Sequence, residues 1–305
     1  MMLKIVLGVA ALALAGPGQA APVKADVAEK VVSADNFPTL NATFPGGVTG
    51  HPDIVYSTIG GFRPLTLDLY TPAKGGAARP LVIYIHGGGW MGGTSRNAAA
   101  YANFPAVMAD LAARGYVVAS LNYRLGGEAK FPAATEDIDS AVRWLRAHAA
   151  DYGIDKARVA IWGGSAGGQL AALAATDCSP SDGKAESDCV QAAAIWYGVF
   201  DIPALPNGGP PYFAGNGAKA SAVTFLDAKD PPFLLIHGTD DRTVPVTQSR
   251  AMAGKLKTTG VTSEFIELPG IDHSWIGKTP EETRAAHLKA LQATFDFFDA
   301  TVGKR

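Results

Sequence analysis

Cysteine is nearly missing from this chain, with two in 305 residues, Cys178 and Cys189. So small a supply excludes a cysteine-built zinc module or iron–sulfur scaffold, and with no histidine between the two no metal site is expected. Charge is thin as well. Lys and Arg number 26 against 28 Asp and Glu, a formal net charge of -2, with no dense run of basic residues. That removes the electrostatic footprint expected of a nucleic-acid binder and of a polybasic membrane patch. A neutral or weakly charged partner fits best.

Long apolar runs are also lacking. The stretch Ile5 to Ala15 is about half the ~20 residues that a spanning helix needs. Preceded by Lys4 and followed by the small residues Gly16-Pro17-Gly18-Gln19-Ala20-Ala21, it has the pattern of a secretory signal peptide. Residues 1–20 are read as that signal, cleaved after Ala20, which implies a periplasmic or secreted protein with no permanent membrane anchor. In an oxidising compartment Cys178 and Cys189, which flank the turn-rich Ser179 to Lys184, are expected to form a disulfide. Closing a loop of this size is worth about 3 kcal/mol in the chain-entropy model.

What the chain does have is apolar sequence, 48% of residues, enough for one large core. Residues 21–50 carry Pro22, Pro38, Pro45 and Gly46-Gly47 and read as an irregular N-terminal arm, leaving 51–305 as a single domain. Thr66 to Tyr70 alternates like a half-buried strand, and Pro80 to Ile85 is the continuous apolar run of a strand buried on both faces. Tyr116–Leu121, Arg158–Trp162, Ala192–Tyr197, Pro232–Ile236 and Glu264–Leu268 follow as further strands. Helical patterns lie between and after them: Phe104 to Arg114, the Ile138, Val142, Leu145 series after Pro132, Gln169 to Ala174, Ser249 to Leu256 and Arg284 to Phe298. Alternating strands and helices predict an α/β fold with a mainly parallel sheet covered on both faces. Functional groups then belong at the carboxyl ends of strands.

Three segments at such ends carry chemistry. Gly163-Gly164-Ser165-Ala166-Gly167 reads GxSxG between a strand and a helix. A serine on so sharp a turn projects its hydroxyl clear of the sheet, although the same residues could form a merely flexible loop. His86-Gly87-Gly88-Gly89-Trp90 follows the Pro80 to Ile85 strand, where glycines let backbone N–H groups approach a developing oxyanion. A serine also needs a base, and the base an orienting acid. His237-Gly238-Thr239-Asp240-Asp241 and then Asp272-His273 follow later strands, giving the order Ser, Asp, His, with Asp240 and Asp241 both available as the acid.

Together these segments resemble the α/β-hydrolase superfamily, and more narrowly bacterial carboxylesterases of the hormone-sensitive-lipase-like type and the bacterial deacetylase and feruloyl-esterase domains. The matching stretches are HGGGW at His86 to Trp90, NYRL at Asn122 to Leu125, GGSAGG at Gly163 to Gly168, DPPFLLIHGTDDRTVP at Asp230 to Pro245 and DHSW at Asp272 to Trp275. The resemblance implies Ser165 as nucleophile, His273 as base and, from the HGxxDxxVP spacing, Asp241 as acid, with Asp201 and Asp272 structural. It places the oxyanion hole at Gly88, Gly89 and Ala166. Trp90, Tyr197 and Trp275 are candidates for an aromatic substrate pocket, and Arg124 for a structural ion pair. His86 and His237 read as loop anchors, and His51, His148 and His287 as surface or helix residues. No metal or organic cofactor is implied.

The expected activity is hydrolysis of carboxylic esters with short acyl, acetyl or feruloyl groups, on a small-molecule or oligosaccharide substrate. An amidase or peptidase of the same fold, arylformamidase-like or prolyl-peptidase-like, is the alternative. A non-catalytic binding protein on a hydrolase scaffold is another. Pro203 to Thr224, rich in Gly, Pro and Asn, is a candidate lid.

Overall fold

The apolar runs become one nine-stranded sheet in the computed structural model, which describes residues 41–303 apart from Lys74, Ser181, Asp182, Lys184 and Ala214. The strands are β1 (Ala42–Phe44), β2 (Val48–Ser57), β3 (Leu65–Thr71), β4 (Arg79–Ile85), β5 (Val117–Leu121), β6 (Ile154–Gly164), β7 (Ala192–Trp196), β8 (Phe233–Gly238) and β9 (Ser263–Leu268). Their order across the sheet is β1-β2-β3-β5-β4-β6-β7-β8-β9. β1 to β3 pair antiparallel and β3 pairs antiparallel with β5, whereas every pairing among β4 to β9 is parallel.

Helices cover both faces, as a sheet of continuous apolar strands requires. The helices are α1 (Phe104–Ala113), α2 (Ala133–Ala147), α3 (Ala149–Tyr152), α4 (Ala166–Thr176), α5 (Thr247–Thr259) and α6 (Pro280–Phe298). One core layer joins Leu81, Ile83 and Ile85 to Ile138, Val142 and Leu145 of α2, Leu170 of α4 and Met252 of α5. The other joins Val82, Tyr84, Trp162 and Trp196 to Phe104 and Met108 of α1 and Ala290, Phe295 and Phe298 of α6. Alternate residues of β4 thus serve opposite layers, the period of two that a pleated strand imposes. Asn103 caps α1 by accepting the Ala106 N–H at 3.2 Å, and Thr279 with Glu282 forms a capping box on α6.

The sheet begins earlier than the sequence reading places it. Residues 42–50 belong to β1 and the start of β2, not to an irregular arm. Pro45-Gly46-Gly47 is the tight turn between them, and a register shift between His51 and Ile54 accommodates Pro52 within β2. The signal-peptide pattern and residues 21–40 of the arm lie outside the described residues. Among the described residues no helix is long and apolar enough to cross a membrane.

Cys178 and Cys189 are joined in a disulfide just beyond the C-terminus of α4. Pro203 to Thr224 folds into four short 3-10 turns that bury Tyr212 and Phe213. The Gln169 amide of α4 donates to the Ala220 carbonyl at 2.7 Å and accepts from Trp90 Nε1 at 2.8 Å, fastening this segment and the glycine loop to one helix.

Candidate active site

β4, β6, β8 and β9 all end at the same edge, and each delivers one part of the site. At the end of β6, Ser165 sits at φ 58°, ψ -122°, a strained conformation for a residue with a side chain. Its N–H donates to Trp196 O at 3.0 Å, and its carbonyl accepts from Gln169 N at 3.0 Å, starting α4. The flanking glycines are required by contact. A Cβ on Gly163 would lie 2.3 Å from Gly167 O, and one on Gly167 would lie 2.2 Å from Ile85 O and 2.5 Å from His86 O. Strand, helix and β4 therefore approach closer than alanine allows, and the GxSxG segment is an elbow.

His273 enters from the turn after β9. Its Nε2 is 3.0 Å from Ser165 Oγ and its Nδ1 2.7 Å from Asp241 Oδ2. Asp272 steadies the turn, accepting the His273 N–H at 2.7 Å and pairing with Arg242. Asp241 follows β8, with Oδ1 accepting the Thr243 and Val244 N–H groups at 2.9 and 2.8 Å and Oδ2 facing His273. Burial alone would raise its pKa, but hydrogen bonds from His237, His273 and the Val244 N–H outweigh it and hold the carboxyl well below the usual carboxylate range. It is an anion throughout the neutral range. Asp240 is exposed and bonds Thr239 Oγ1 at 3.0 Å, away from the histidine.

The HGGGW loop supplies donors. Gly88 adopts φ 115°, and a Cβ there would strike Gly92 O at 2.2 Å. Gly88 and Gly89 line the same cleft as Ser165, and their N–H groups make no hydrogen bond among the described residues. Ala166 opens α4, so its N–H has no acceptor within the helix. His86 is buried against Tyr123, ring centroids 4.3 Å apart, with Nδ1 bonded to Gly87 O at 2.7 Å. Burial lowers its pKa to about 4, with Gly87 O opposing the shift and Arg63 adding to it.

A stability signature follows from His86. A histidine with a depressed folded pKa contributes stability above its unfolded pKa that is lost as pH falls through the folded one. Wild-type Tm is therefore expected to fall relative to His86→Asn between about pH 6.5 and about 4, the unperturbed and buried values. Calorimetry across that range checks it, and parallel curves for the two proteins would contradict it.

Of the three aromatic candidates, Tyr197 lines the cleft, with its ring 4.6 Å from His273. Trp90 and Trp275 do not. Trp90, at φ 61°, turns its indole back to Gln169 and packs on Tyr212 and Phe213, and Trp275 is fully buried against Trp196 and Tyr197. The cleft, about 390 Å³, takes its remaining side chains from Tyr84, Asn97, Ala98, Ala99, Thr243 and Ser274. Thr243 and Ser274 adjoin Asp241 and His273 in sequence and could have been read from that; Tyr84, inside a strand, and 97–99, in an aperiodic loop, carry no signal. Among the described residues of Pro203 to Thr224 none lines it.

The other assignments hold structurally. Arg124 forms a forked pair with Asp137 at 2.7 to 2.9 Å. Asp201 is bound through its backbone to Gln248, not to His273. His148 bonds Trp144 O at 2.9 Å, and His51 bonds Asn41 and Thr71 at the sheet edge. His287, on α6, is buried and accepts the Ala100 N–H at 3.3 Å.

A serine on a strand-to-helix elbow, hydrogen-bonded through histidine to a buried carboxylate at the carboxyl edge of this sheet, defines an α/β-hydrolase. The BD-FAE family model matches residues 67–256, more than half the chain, and the chain belongs to that family. His273 lies beyond the matched span. Esterase LipQ of Mycobacterium tuberculosis is 32% identical over 250 residues, 75% of this chain and 57% of the relative. The probable carboxylic ester hydrolase LipM of the same organism is 33% identical over 233 residues, 68% and 52%. The chain thus spans little more than half the length of these relatives. Among solved structures it is similar to Thermogutta terrifontis esterase 2 phosphorylated by paraoxon, with a TM-score of 0.70, 27% identity, and coverage of 81% and 93%. It is also similar to a truncated carbohydrate esterase from gut microbiota, with a TM-score of 0.68, 25% identity, and coverage of 84% and 96%.

Proposed function

We propose that this protein is an exported serine esterase that hydrolyses short-chain carboxylic esters through an acyl-enzyme on Ser165. The hydrogen-bonded run Ser165–His273–Asp241 carries the reading. Ser165 Oγ gives its proton to His273 Nε2 as it attacks the ester carbonyl, and the buried Asp241 anion holds the ring by Nδ1 and stabilises the imidazolium that forms. The N–H groups of Gly88, Gly89 and Ala166 receive the oxyanion. His273 then protonates the departing alcohol, and water repeats the cycle on the acyl-enzyme.

The cleft supports small, neutral substrates. Apart from His273, no charged side chain among the described residues lines it; Asn97, Thr243, Ser274 and Tyr84 offer neutral hydrogen-bonding groups. That lining suits acetyl or feruloyl esters of hydroxylated alcohols, sugars included, and one of the structural relatives is a carbohydrate esterase. The N-terminal pattern supports export to the periplasm or medium, where such esters are met.

Turnover of p-nitrophenyl acetate, p-nitrophenyl decanoate, methyl ferulate, formyl-kynurenine and a proline anilide tests the reading. Acetate is expected to be cleaved at least about tenfold faster than decanoate, with the two amides slowest. Preferred cleavage of the anilide or of formyl-kynurenine would replace the esterase reading with that of an amidase.

A further inference from the structure

Two histidines, not one, engage the carboxylate of Asp241. Besides His273 Nδ1 at 2.7 Å, His237 Nε2 lies 3.2 Å from the same Oδ2 and 2.9 Å from the Val244 carbonyl. Both neighbours of that nitrogen are acceptors, so Nε2 carries the proton. In the neutral ring Nδ1 then accepts from Ser249 Oγ, 2.7 Å away on α5. His237 and Ser249 are 0% and 1% exposed, so this bond is not shared with solvent.

We propose that His237 and Ser249 are positioning residues of the Ser165 relay, which is five residues deep: Ser249, His237, Asp241, His273, Ser165. Ser249 fixes the tautomer of His237, and His237 fixes Oδ2 of Asp241 and takes up part of its charge. This rests on reading Ser165, His273 and Asp241 as the catalytic triad. With Oδ1 occupied by the Thr243 and Val244 N–H groups and one side of Oδ2 by His237, the carboxylate cannot swing, and its remaining lone pair points at His273. In a buried network each donor also moderates the charge that the others feel. Removing the His237 donor leaves more of that charge to favour the protonated form of His273, so catalysis is lost at a higher pH.

The charged groups around the relay are themselves occupied. Glu267 lies opposite His237 in the β8–β9 register and pairs with Arg250 at 2.7 Å. Asp272 pairs with Arg242 and accepts the His273 N–H. Neither competes for the His237 proton.

The alternative is that His237 only anchors the loop through Val244 O, and kinetics separate the two. In the full chain, Ser249→Ala, His237→Gln and His237→Leu would be compared with wild type on p-nitrophenyl acetate from about pH 5 to 9, a span that brackets histidine titration. Folded protein is quantified by calorimetry. Ser249→Ala is expected to lower kcat about fivefold with KM unchanged, and to move the acid limb of kcat/KM upward by a few tenths of a pH unit. His237→Leu is expected to lower kcat roughly 10- to 100-fold, the range seen when the group supporting a ligand is lost, and His237→Gln, which keeps an N–H, to recover much of it. If the leucine variant does not fold, the other two decide. Wild-type kcat and acid limb in Ser249→Ala and His237→Gln would overturn the proposal, as would a lowered Tm with kcat per folded molecule unchanged. Wild-type protein whose Ser165 resists a fluorophosphonate would overturn the triad reading and this proposal with it. A labelled, active wild type with unaffected variants overturns only this one.

Discussion

Ser165→Ala is expected to reduce kcat on p-nitrophenyl acetate by about 10⁴- to 10⁶-fold while the protein stays folded. The loss is large because no second nucleophile lies within reach of His273 Nε2, whose one hydrogen-bond partner among the described residues is Ser165 Oγ. The fold is spared because that hydroxyl makes no other hydrogen bond there, and alanine tolerates φ 58° about as poorly as serine. What is expected to survive in the variant is the donor set proposed for the glycine loop, which would polarise a bound ester without attacking it. Steady-state rates and a thermal melt on the same preparation measure both halves. A variant retaining a tenth of wild-type activity would place the chemistry elsewhere.

Asp241→Asn is expected to lower kcat about 10⁴-fold, whereas Asp240→Asn leaves it within about twofold. The two side chains are adjacent in sequence and opposite in circumstance. Asp241 is buried, accepts two backbone N–H groups through Oδ1 and faces His273 with Oδ2; Asp240 faces solvent. An amide at 241 keeps the shape but can turn an N–H toward His273 Nδ1. That favours the tautomer whose proton sits on Nε2, where it cannot accept one from serine. Side-by-side kinetics of the two variants decides the matter, and an equal loss in both would mean that the acid is not fixed as the geometry shows.

The parts of this protein legible in sequence are those in which one residue type is forced by contact or chemistry. The glycines around Ser165 are dictated by carbonyls at 2.2 to 2.5 Å, and the order of serine, aspartate and histidine follows from strands that end at one edge. The sheet's centre was legible for a related reason, since strands buried on both faces must be apolar throughout. Direction was not. Trp90 follows the glycines and looks like a pocket wall, yet a positive φ at 90 sends its indole to Gln169 in the opposite core layer. Nothing in the spelling HGGGW encodes that dihedral. β1 was hidden because Pro45-Gly46-Gly47 reads as irregular chain, while its strand-forming partners in β2 lie across the turn. The second histidine on Asp241 was hidden because the three intervening residues say nothing about whether a turn brings a ring back onto a carboxylate.

The fastening of Pro203 to Thr224 bears on how the protein meets its substrate. Its carbonyl at Ala220 is bound to α4, the helix that follows Ser165, and its aromatic pair Tyr212 and Phe213 is committed to Trp90. A segment tied to the helix that follows Ser165 is fastened to the elbow and not hinged over the cleft, as far as its described residues go. For the esterase proposed above, the rate is expected to follow the dissolved concentration of ester and to level off where solubility ends; a rate curve carried past the solubility limit checks it, and a surge there would contradict it.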